Sequence, residues 1–287
     1  MHSASSDSGP RLSSLFCCLF AVLLAIPSPL RADEDAAAII GARIGQLLNG
    51  VEVKVGGATI ASTVVLPNFY ERREARPAWS DARNLDALLA AVRDSAADGL
   101  SPADYHLSQL EALRAAPASA ERDADLDMLA TDALVRVAYH LRFGKVDVAR
   151  IDPNWNFDRT YEAVLFLAPA VAIQEALDQG GIGEALAVLR PSHPLYTALQ
   201  QTLTTYRQIK AAGGWKPIAP GPTIKPGDSD PRVPALRERM AIEGDLEPGA
   251  ATSGTGYSPR CWRRCNASKS ATASTPTARS AARRCAY

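Results

Sequence analysis

An apolar stripe in residues 121–144 most constrains what this chain can fold into. Six apolar residues fall on one face at helical spacing, namely Leu126, Leu129, Ala130, Ala133, Val137 and Leu141, and Gly144 follows them. This spacing predicts an amphipathic α-helix that ends at the glycine. Because such a helix must bury its stripe, the surrounding chain has to supply further packing elements.

Similar spacing predicts further helices on both sides of this one. The helix within 67–100 carries Leu85, Leu88, Leu89 and Val92, with Ser80 or Asn84 as its cap and Gly99 at its end. Two more helices are predicted over 162–178 and 182–189, separated by Gly180-Gly181. A long helix then runs from Pro194 to Lys210, with Leu195, Leu199, Leu203 and Tyr206 on its apolar face.

Two short stretches predict a small β-hairpin before these helices. VEVKVGG alternates apolar and polar residues, ATIASTVVL is rich in β-branched residues, and Gly56-Gly57 between them suits a turn. Alanine is abundant and aromatic residues make up only 6% of the chain, which favours helices. We therefore predict a mainly α protein, with a helix and short strands over 33–66 and a multi-helix domain over 67–212.

The first 32 residues have the features of a secretory signal peptide. Arg11 precedes an apolar run of 12 residues from Leu15 to Ile26, which is too short for a typical membrane span. Pro27 and Pro29 end the run, and we place cleavage after Ala32. The chain is therefore expected to be secreted across the inner membrane and to be periplasmic or associated with the cell wall.

Residues 213–250 predict the entry to a second, smaller domain. A linker over 213–227 contains Gly213-Gly214, Trp215 and several prolines, and a short helical module follows over 228–250. Val233, Leu236 and Met240 are expected to face inward in its helix.

The composition changes after this module. Residues 251–287 hold seven basic residues and no acidic one, so of the 31 basic and 31 acidic residues the rest of the chain keeps 24 basic and 31 acidic, a net charge of −7. An acidic body argues against a nucleic-acid partner. The tail has few large aliphatic residues and is predicted to be disordered. It could instead be a basic arm, a metal site built on Cys261 and Cys265, or the product of a shifted reading frame.

Several segments in order resemble the large secreted L,D-transpeptidases of bacterial cell walls. The resemblance runs from about residue 67 to 246 and rests on Asp98-Gly99-Leu100 with Tyr105, Arg190-Pro191 through Tyr206, Gly213-Gly214-Trp215, and Arg232-Val233 through Gly244-Asp245-Leu246. It implies a helical scaffold domain, then a peptidoglycan-binding module, then a catalytic domain with a cysteine nucleophile in a Ser-His-Gly-Cys type of motif.

The catalytic motif that the resemblance implies does not occur in this sequence. Cys261, Cys265 and Cys285 have no neighbouring His to hold a thiolate. Read one base out of frame with GC-rich codons, the tail from Cys261 becomes LAAVQRFQVRHGIDADGAIGRPTLRV, which resembles the rest of a peptidoglycan-binding module. We therefore expect a frameshift near residues 250–261, a truncated module over 228–250, and no transpeptidase activity from this chain alone.

Three residues are weak candidates for substrate binding. Trp215 could stack on a sugar, but an anchor that packs the linker onto the scaffold is the favoured interpretation. Arg232 and Arg237 could bind carboxylates of muramyl peptides, although the solvated face of a helix is the more ordinary role for such charges. The expected partners are peptidoglycan or its stem peptides, with cell-wall synthesis proteins as further candidates.

No metal site or cofactor is expected. His140 and His193 have no carboxylate or Cys at ligand spacing, so both are interpreted as structural. Asp147, Asp152 and Asp158 lack the spacing of a calcium loop. The sequence thus favours the non-catalytic scaffold portion of a murein transpeptidase. The alternatives are a short periplasmic scaffold or murein-binding protein, or a protein that binds an anionic surface through its basic tail.

Overall fold

The structure is a computed structural model, and it describes residues 29–146, 151, 168–246 and 254–258. In these ranges it confirms the predicted fold class, because the chain is mainly helical with one two-stranded antiparallel hairpin. Most of the predicted signal peptide, the three aspartates around Pro153 and all five cysteines lie outside the described residues. No helix in the described ranges combines the length and the apolar character that a membrane crossing requires.

Most of the described α-helices lie where the sequence predicts helices, but the helix Val65–Arg72 begins inside the run ATIASTVVL, which was predicted to be a strand. The described α-helices are α1 (Pro29–Leu48), α2 (Val65–Arg72), α3 (Ala82–Asp94), α4 (Leu107–Ala115), α5 (Ala120–Phe143), α6 (Ala168–Gln179), α7 (Ile182–Val188), α8 (Pro194–Ala211) and α9 (Val233–Ile242). Short 3-10 helices span Ser95–Asp98 and Pro102–Tyr105. Strands β1 (Lys54–Val55) and β2 (Ala58–Thr59) pair with Val55 opposite Ala58, around the turn at Gly56-Gly57.

The chain divides into two compact units. Unit 1 comprises residues up to Leu88, His106–Arg136 and Asn156–Ile182, and unit 2 comprises Leu89–Tyr105, Val137–Trp155 and the residues from Gly183 onward. Helices α3 and α5 each contribute residues to both units.

In unit 1, α1 packs on α2, and α2 packs on α6. Its fully buried side chains include Ile40, Leu66, Phe69, Tyr70 and Leu129. A Cβ added to Gly56 would lie 3.2 Å from Leu129 Cδ1, so the hairpin turn lies directly against α5.

Unit 2 buries the C-terminal ends of α3 and α5 and carries the small module at its C-terminal side. Leu89, Val92, Val137 and Leu141 are buried, as their spacing predicted. In the module, Val233 and Met240 of α9 form a core with Tyr257, with Ile224, Leu236 and Leu246 packed against it. The inward orientation predicted for this helix is therefore confirmed.

Residues 254–258 differ from the expectation that nothing after residue 250 joins a core. Tyr257 is buried, its backbone N–H donates to the Asp228 carbonyl at 2.7 Å, and Gly227 N–H donates back to the Tyr257 carbonyl at 2.8 Å. Tyr257 is a single aromatic residue among small and polar ones, so a composition taken over 251–287 does not single it out.

Two further local predictions are corrected. Neither Ser80 nor Asn84 caps α3: Asp81 Oδ1 accepts from Arg83 N–H at 2.9 Å, and the buried Asn84 donates instead to the Leu177 carbonyl at 2.8 Å. The apolar face of α8 is also only partly covered. Leu195, Leu199 and Tyr206 are 64%, 49% and 41% exposed, whereas Leu203 is half-buried beside Gly99.

Candidate functional site

Asp127 of α5 is a buried acceptor that holds the chain after α2 in place. Its Oδ1 accepts from the Tyr70 hydroxyl at 2.6 Å, and its Oδ2 accepts from the N–H groups of Ala78 and Trp79 at 2.7 and 2.8 Å. The hydroxyl of Thr131 completes the network, 2.9 Å from both the Tyr70 hydroxyl and Trp79 Nε1. Burial raises the pKa of Asp127 to about 6, although hydrogen bonds from Tyr70, Trp79 and Ala78 partly oppose that rise.

Asp132, five residues later on α5, holds a different part of unit 1. Its Oδ1 accepts from Ala61 N–H at 3.1 Å and Ser62 N–H at 2.7 Å, just after the hairpin, and its Oδ2 accepts from His106 Nε2 at 2.7 Å. Burial acts to raise the pKa of Asp132, but the hydrogen bonds from His106 and Ser62 outweigh it and leave the pKa lowered. Both aspartates therefore serve as internal acceptors, and sequence reasoning identified neither.

Asp98 is the centre of a third network, in unit 2. Its carboxylate accepts from Arg190 Nε at 2.9 Å, the Tyr196 hydroxyl at 2.8 Å and Gln200 Nε2 at 2.7 Å. Gly99 follows with a φ of 81°, the left-handed conformation that glycine adopts without a Cβ clash. Burial, together with the Asp98 carboxylate, raises the pKa of Tyr196 to about 12.

This network explains two of the segments that carry the family resemblance. Asp98-Gly99-Leu100 and the stretch from Arg190 onward are separate in the sequence, and the structure brings them together. Arg207, near the end of α8, also donates to the Ala96 carbonyl. These residues therefore contact each other, so their occurrence together in the sequence is explained by packing within the domain.

Trp215, the first candidate binding residue, lies between α8 and α9. Its ring centroid is 5.6 Å from that of Tyr206, and the Arg239 guanidinium lies 5.4 Å from the indole centroid on the α9 side. The indole Nε1 is buried and has no hydrogen-bond partner in the described part of the chain. These contacts are those of an anchor, and a role for Trp215 in binding sugar stays a prediction.

Arg232, the second candidate, is buried, so the interpretation of this charge as solvated is wrong for it. Its guanidinium donates to both Asp230 carboxylate oxygens at 2.8–2.9 Å and to the Pro222 carbonyl at 2.6 Å. Hydrogen bonds from Arg232 lower the pKa of Asp230 to about 2. Burial follows from this internal pairing, which the charge pattern alone does not reveal.

Arg237, the third candidate, donates from Nη1 to the Gly254 carbonyl at 2.8 Å and from Nη2 to the Gly256 carbonyl. It therefore holds residues 254–258 onto α9. Each of the three candidates therefore has partners within the chain, and substrate binding by any of them stays a prediction.

The described histidines are engaged in structural contacts. His106 pairs with Asp132, His140 Nδ1 lies 2.9 Å from the Tyr105 hydroxyl, and His193 Nδ1 accepts from Leu195 N–H at 3.1 Å to cap α8. The described residues contain no group of His, Cys, Asp or Glu arranged to hold a metal ion.

Comparison with known proteins gives one match. Residues 65–203 match the model of a family described as Scaffold domain. The match covers most of the predicted multi-helix domain and the three acidic networks, apart from Ala61 and Ser62, which bind Asp132. A scaffold domain is therefore present in this chain. No curated protein and no solved structure matches it.

Proposed function

We propose that this chain is the non-catalytic N-terminal scaffold portion of a murein L,D-transpeptidase, and that it serves peptidoglycan cross-linking and cell-wall organisation without forming cross-links itself. The observation that carries this proposal is the Asp98 network. It joins two of the segments on which the resemblance to those enzymes rests, within the residues that match a scaffold domain.

The internal use of acidic and basic groups supports a structural role. Asp98, Asp127 and Asp132 each accept several hydrogen bonds from groups that hold other parts of the chain. Each described histidine also has a structural hydrogen-bond partner.

The small module suggests where murein would be contacted. The module comprises residues 213–246 and 254–258. Trp215 packs it against Tyr206 of α8, and within it Arg237 and the core around Met240 hold residues 254–258 onto α9. We infer that this module binds peptidoglycan or its stem peptides, in the periplasm or at the cell wall, and that cell-wall synthesis proteins are further partners.

A second function is favoured by a different observation. The exposed apolar side of α8, with Leu195, Leu199 and Tyr206, suits a short periplasmic scaffold that docks another protein. Its test is whether replacing Leu195 and Leu199 by Ser abolishes capture of cell-wall synthesis proteins while murein binding stays the same.

The absence of catalysis is tested with soluble muropeptides. The chain from Asp33 onward is incubated with tetrapeptide-ended muropeptides, beside an active L,D-transpeptidase as positive control, and the products are separated by mass. We expect cross-linked dimers only in the control. Clear turnover by this chain would overturn the proposal.

A further inference from the structure

Unit 1 contains a groove of about 490 Å³ between the end of α2 and helix α6. Arginines line one side, where Arg72, Arg73 and Arg76 occur within five positions of the sequence. The other side, on α6, presents the exposed Val171 and the carboxylate of Glu175. The volume is within the usual range for a small-molecule or short-peptide site.

A strained turn forms the arginine side of this groove. Glu74 and Ala75 follow α2 with φ values of 53° and 59°, although neither is a glycine. The turn is held because Glu74 N–H donates to the Glu71 carbonyl at 3.1 Å and Ala75 N–H donates to the Tyr70 carbonyl at 2.8 Å. Side chains in this conformation cost about 1 kcal/mol or more each, and such strain concentrates at functional sites.

Arg73 is fixed in one orientation. It donates to Gln174 Oε1 across the groove and to the Pro77 carbonyl at 2.7 Å, and its guanidinium lies 5.6 Å from the Phe69 ring centroid. No carboxylate among the described residues forms an ion pair with it, and the buried carboxylate of Asp127 interacts with it only through space. The groove therefore has a positive charge that is held in place before any ligand arrives.

Arg72 and Arg76 are the arginines that a ligand can reach. Arg72 is exposed and has no hydrogen-bond or ionic partner in the described ranges. Arg76 pairs with Glu74, but both side chains are more than 70% exposed. Because exposed pairs contribute little, a ligand carboxylate can replace Glu74 as the partner of Arg76.

We propose that this groove binds the carboxylate end of a short peptide. The planar forks of Arg72 and Arg76 match a carboxylate, and the exposed Val171 offers a small apolar surface for the adjoining side chain. Glu74 and Glu175 also line the groove, which disfavours a multiply charged anion such as phosphate. The site lies within the scaffold domain and does not depend on the proposed function.

The test uses the chain from Asp33 onward and three probes: N-acetyl-trialanine, the same peptide with an amidated C-terminus, and inorganic phosphate. Binding is followed by the NMR signals of the arginine Nε–H groups. We expect the free-acid peptide to bind with a dissociation constant on the order of 1 mM and to shift the signals of Arg72 and Arg76. The amide and phosphate are expected to bind at least about fivefold more weakly.

Variants separate this site from general charge effects. Arg72→Gln with Arg76→Gln is expected to weaken peptide binding at least about fivefold, whereas Arg83→Gln, an exposed arginine elsewhere in unit 1, leaves it unchanged. Val171→Trp keeps every charge but fills the groove, and it is expected to abolish binding. Equal binding of acid and amide, tighter binding of phosphate, or full binding by the double variant with an unchanged helical spectrum would each overturn the proposal.

Discussion

Arg190 Nε donates to Asp98 Oδ2 at 2.9 Å, across 92 positions of sequence, and only 2% of the Asp98 side chain is exposed. The Tyr196 hydroxyl and Gln200 share the same carboxylate, so one acidic residue joins the 3-10 helix before Gly99 to the start of α8. These hydrogen bonds are a direct physical reason why the scaffold domain contains both segments, since each supplies the partner of the other.

Replacing Asp98 by Ala is expected to destabilise unit 2 by about 2–3 kcal/mol, because three buried or half-buried donors lose their acceptor. Hydrogen exchange of the α8 amides, read by mass spectrometry, should speed up accordingly. Asp94→Ala, an exposed acid at the end of α3, is the matched control and should leave the exchange of α8 nearly unchanged. Equal protection in the two variants would show that the Asp98 network contributes nothing.

The raised pKa of Asp127 makes the unfolding free energy fall as the pH rises. Its folded pKa is about 6 against an ordinary value of 3.8, so folding takes up a proton between those pH values. The contribution of this group to the unfolding free energy is therefore fully present below about pH 4 and is lost as the pH rises through 6, by about 3 kcal/mol.

The Asp127→Asn variant removes this proton and keeps the shape of the side chain. Its unfolding free energy, measured with urea at several pH values, is expected to rise relative to the natural chain by about 3 kcal/mol between pH 4 and pH 7. A constant difference across that range would contradict a raised pKa for Asp127.

Asp132 should behave in the opposite way, because its pKa is lowered in the folded state. Its contribution is present above the unfolded pKa and is lost as the pH falls through the lower folded value. Asp132→Asn removes the charged partner of the buried His106 and should cost about 2–4 kcal/mol at pH 7, with a smaller difference in acid.

The matched control for Asp132 is Asp86→Asn, because Asp86 pairs with Arg114 at the surface, with about half of each side chain exposed. We expect it to change the urea midpoint by less than the equivalent of about 1 kcal/mol. If the two variants are equally stable at pH 7, the Asp132 network does not stabilise unit 1.

The strained turn predicts a stabilising substitution. Glu74→Gly should raise the unfolding free energy by about 1 kcal/mol, because glycine adopts a φ of 53° without the clash of a Cβ. Glu71→Gly, three residues earlier in the last turn of α2, should instead lower it, by less than about 1 kcal/mol, since glycine is a poor helix former. Opposite thermal shifts support the strain, and a loss of stability in both variants would contradict it.

The helices could be predicted from the sequence because their packing surfaces are periodic and local. The stripe of α5 is an example, since its six predicted residues are all buried. The same periodicity misled for α8, because a pattern shows which residues share a face and not whether anything covers it. Leu195 and Leu199 therefore looked like core residues and are exposed.

The polar networks could not be predicted, because their partners are distant in sequence. Asp132 binds residues between 26 and 71 positions away, and Arg73 reaches Gln174 across 101 positions. Neither spacing nor composition records such pairs. The charge pattern also misled for Arg232. It suggested a solvated side chain, but Arg232 is buried against Asp230 and a carbonyl group.

The most direct test of the proposed function is co-sedimentation with purified murein sacculi. Three forms are compared: the chain from Asp33 onward, a variant that ends at Ser258 and so lacks the basic tail, and a variant that ends at Ala212 and so lacks the module. We predict that the first two sediment with the sacculi at low and at moderate salt, that the third stays in solution, and that no new cross-links form. Equal recovery of all three forms, or binding that is lost with the basic tail alone, would contradict the account.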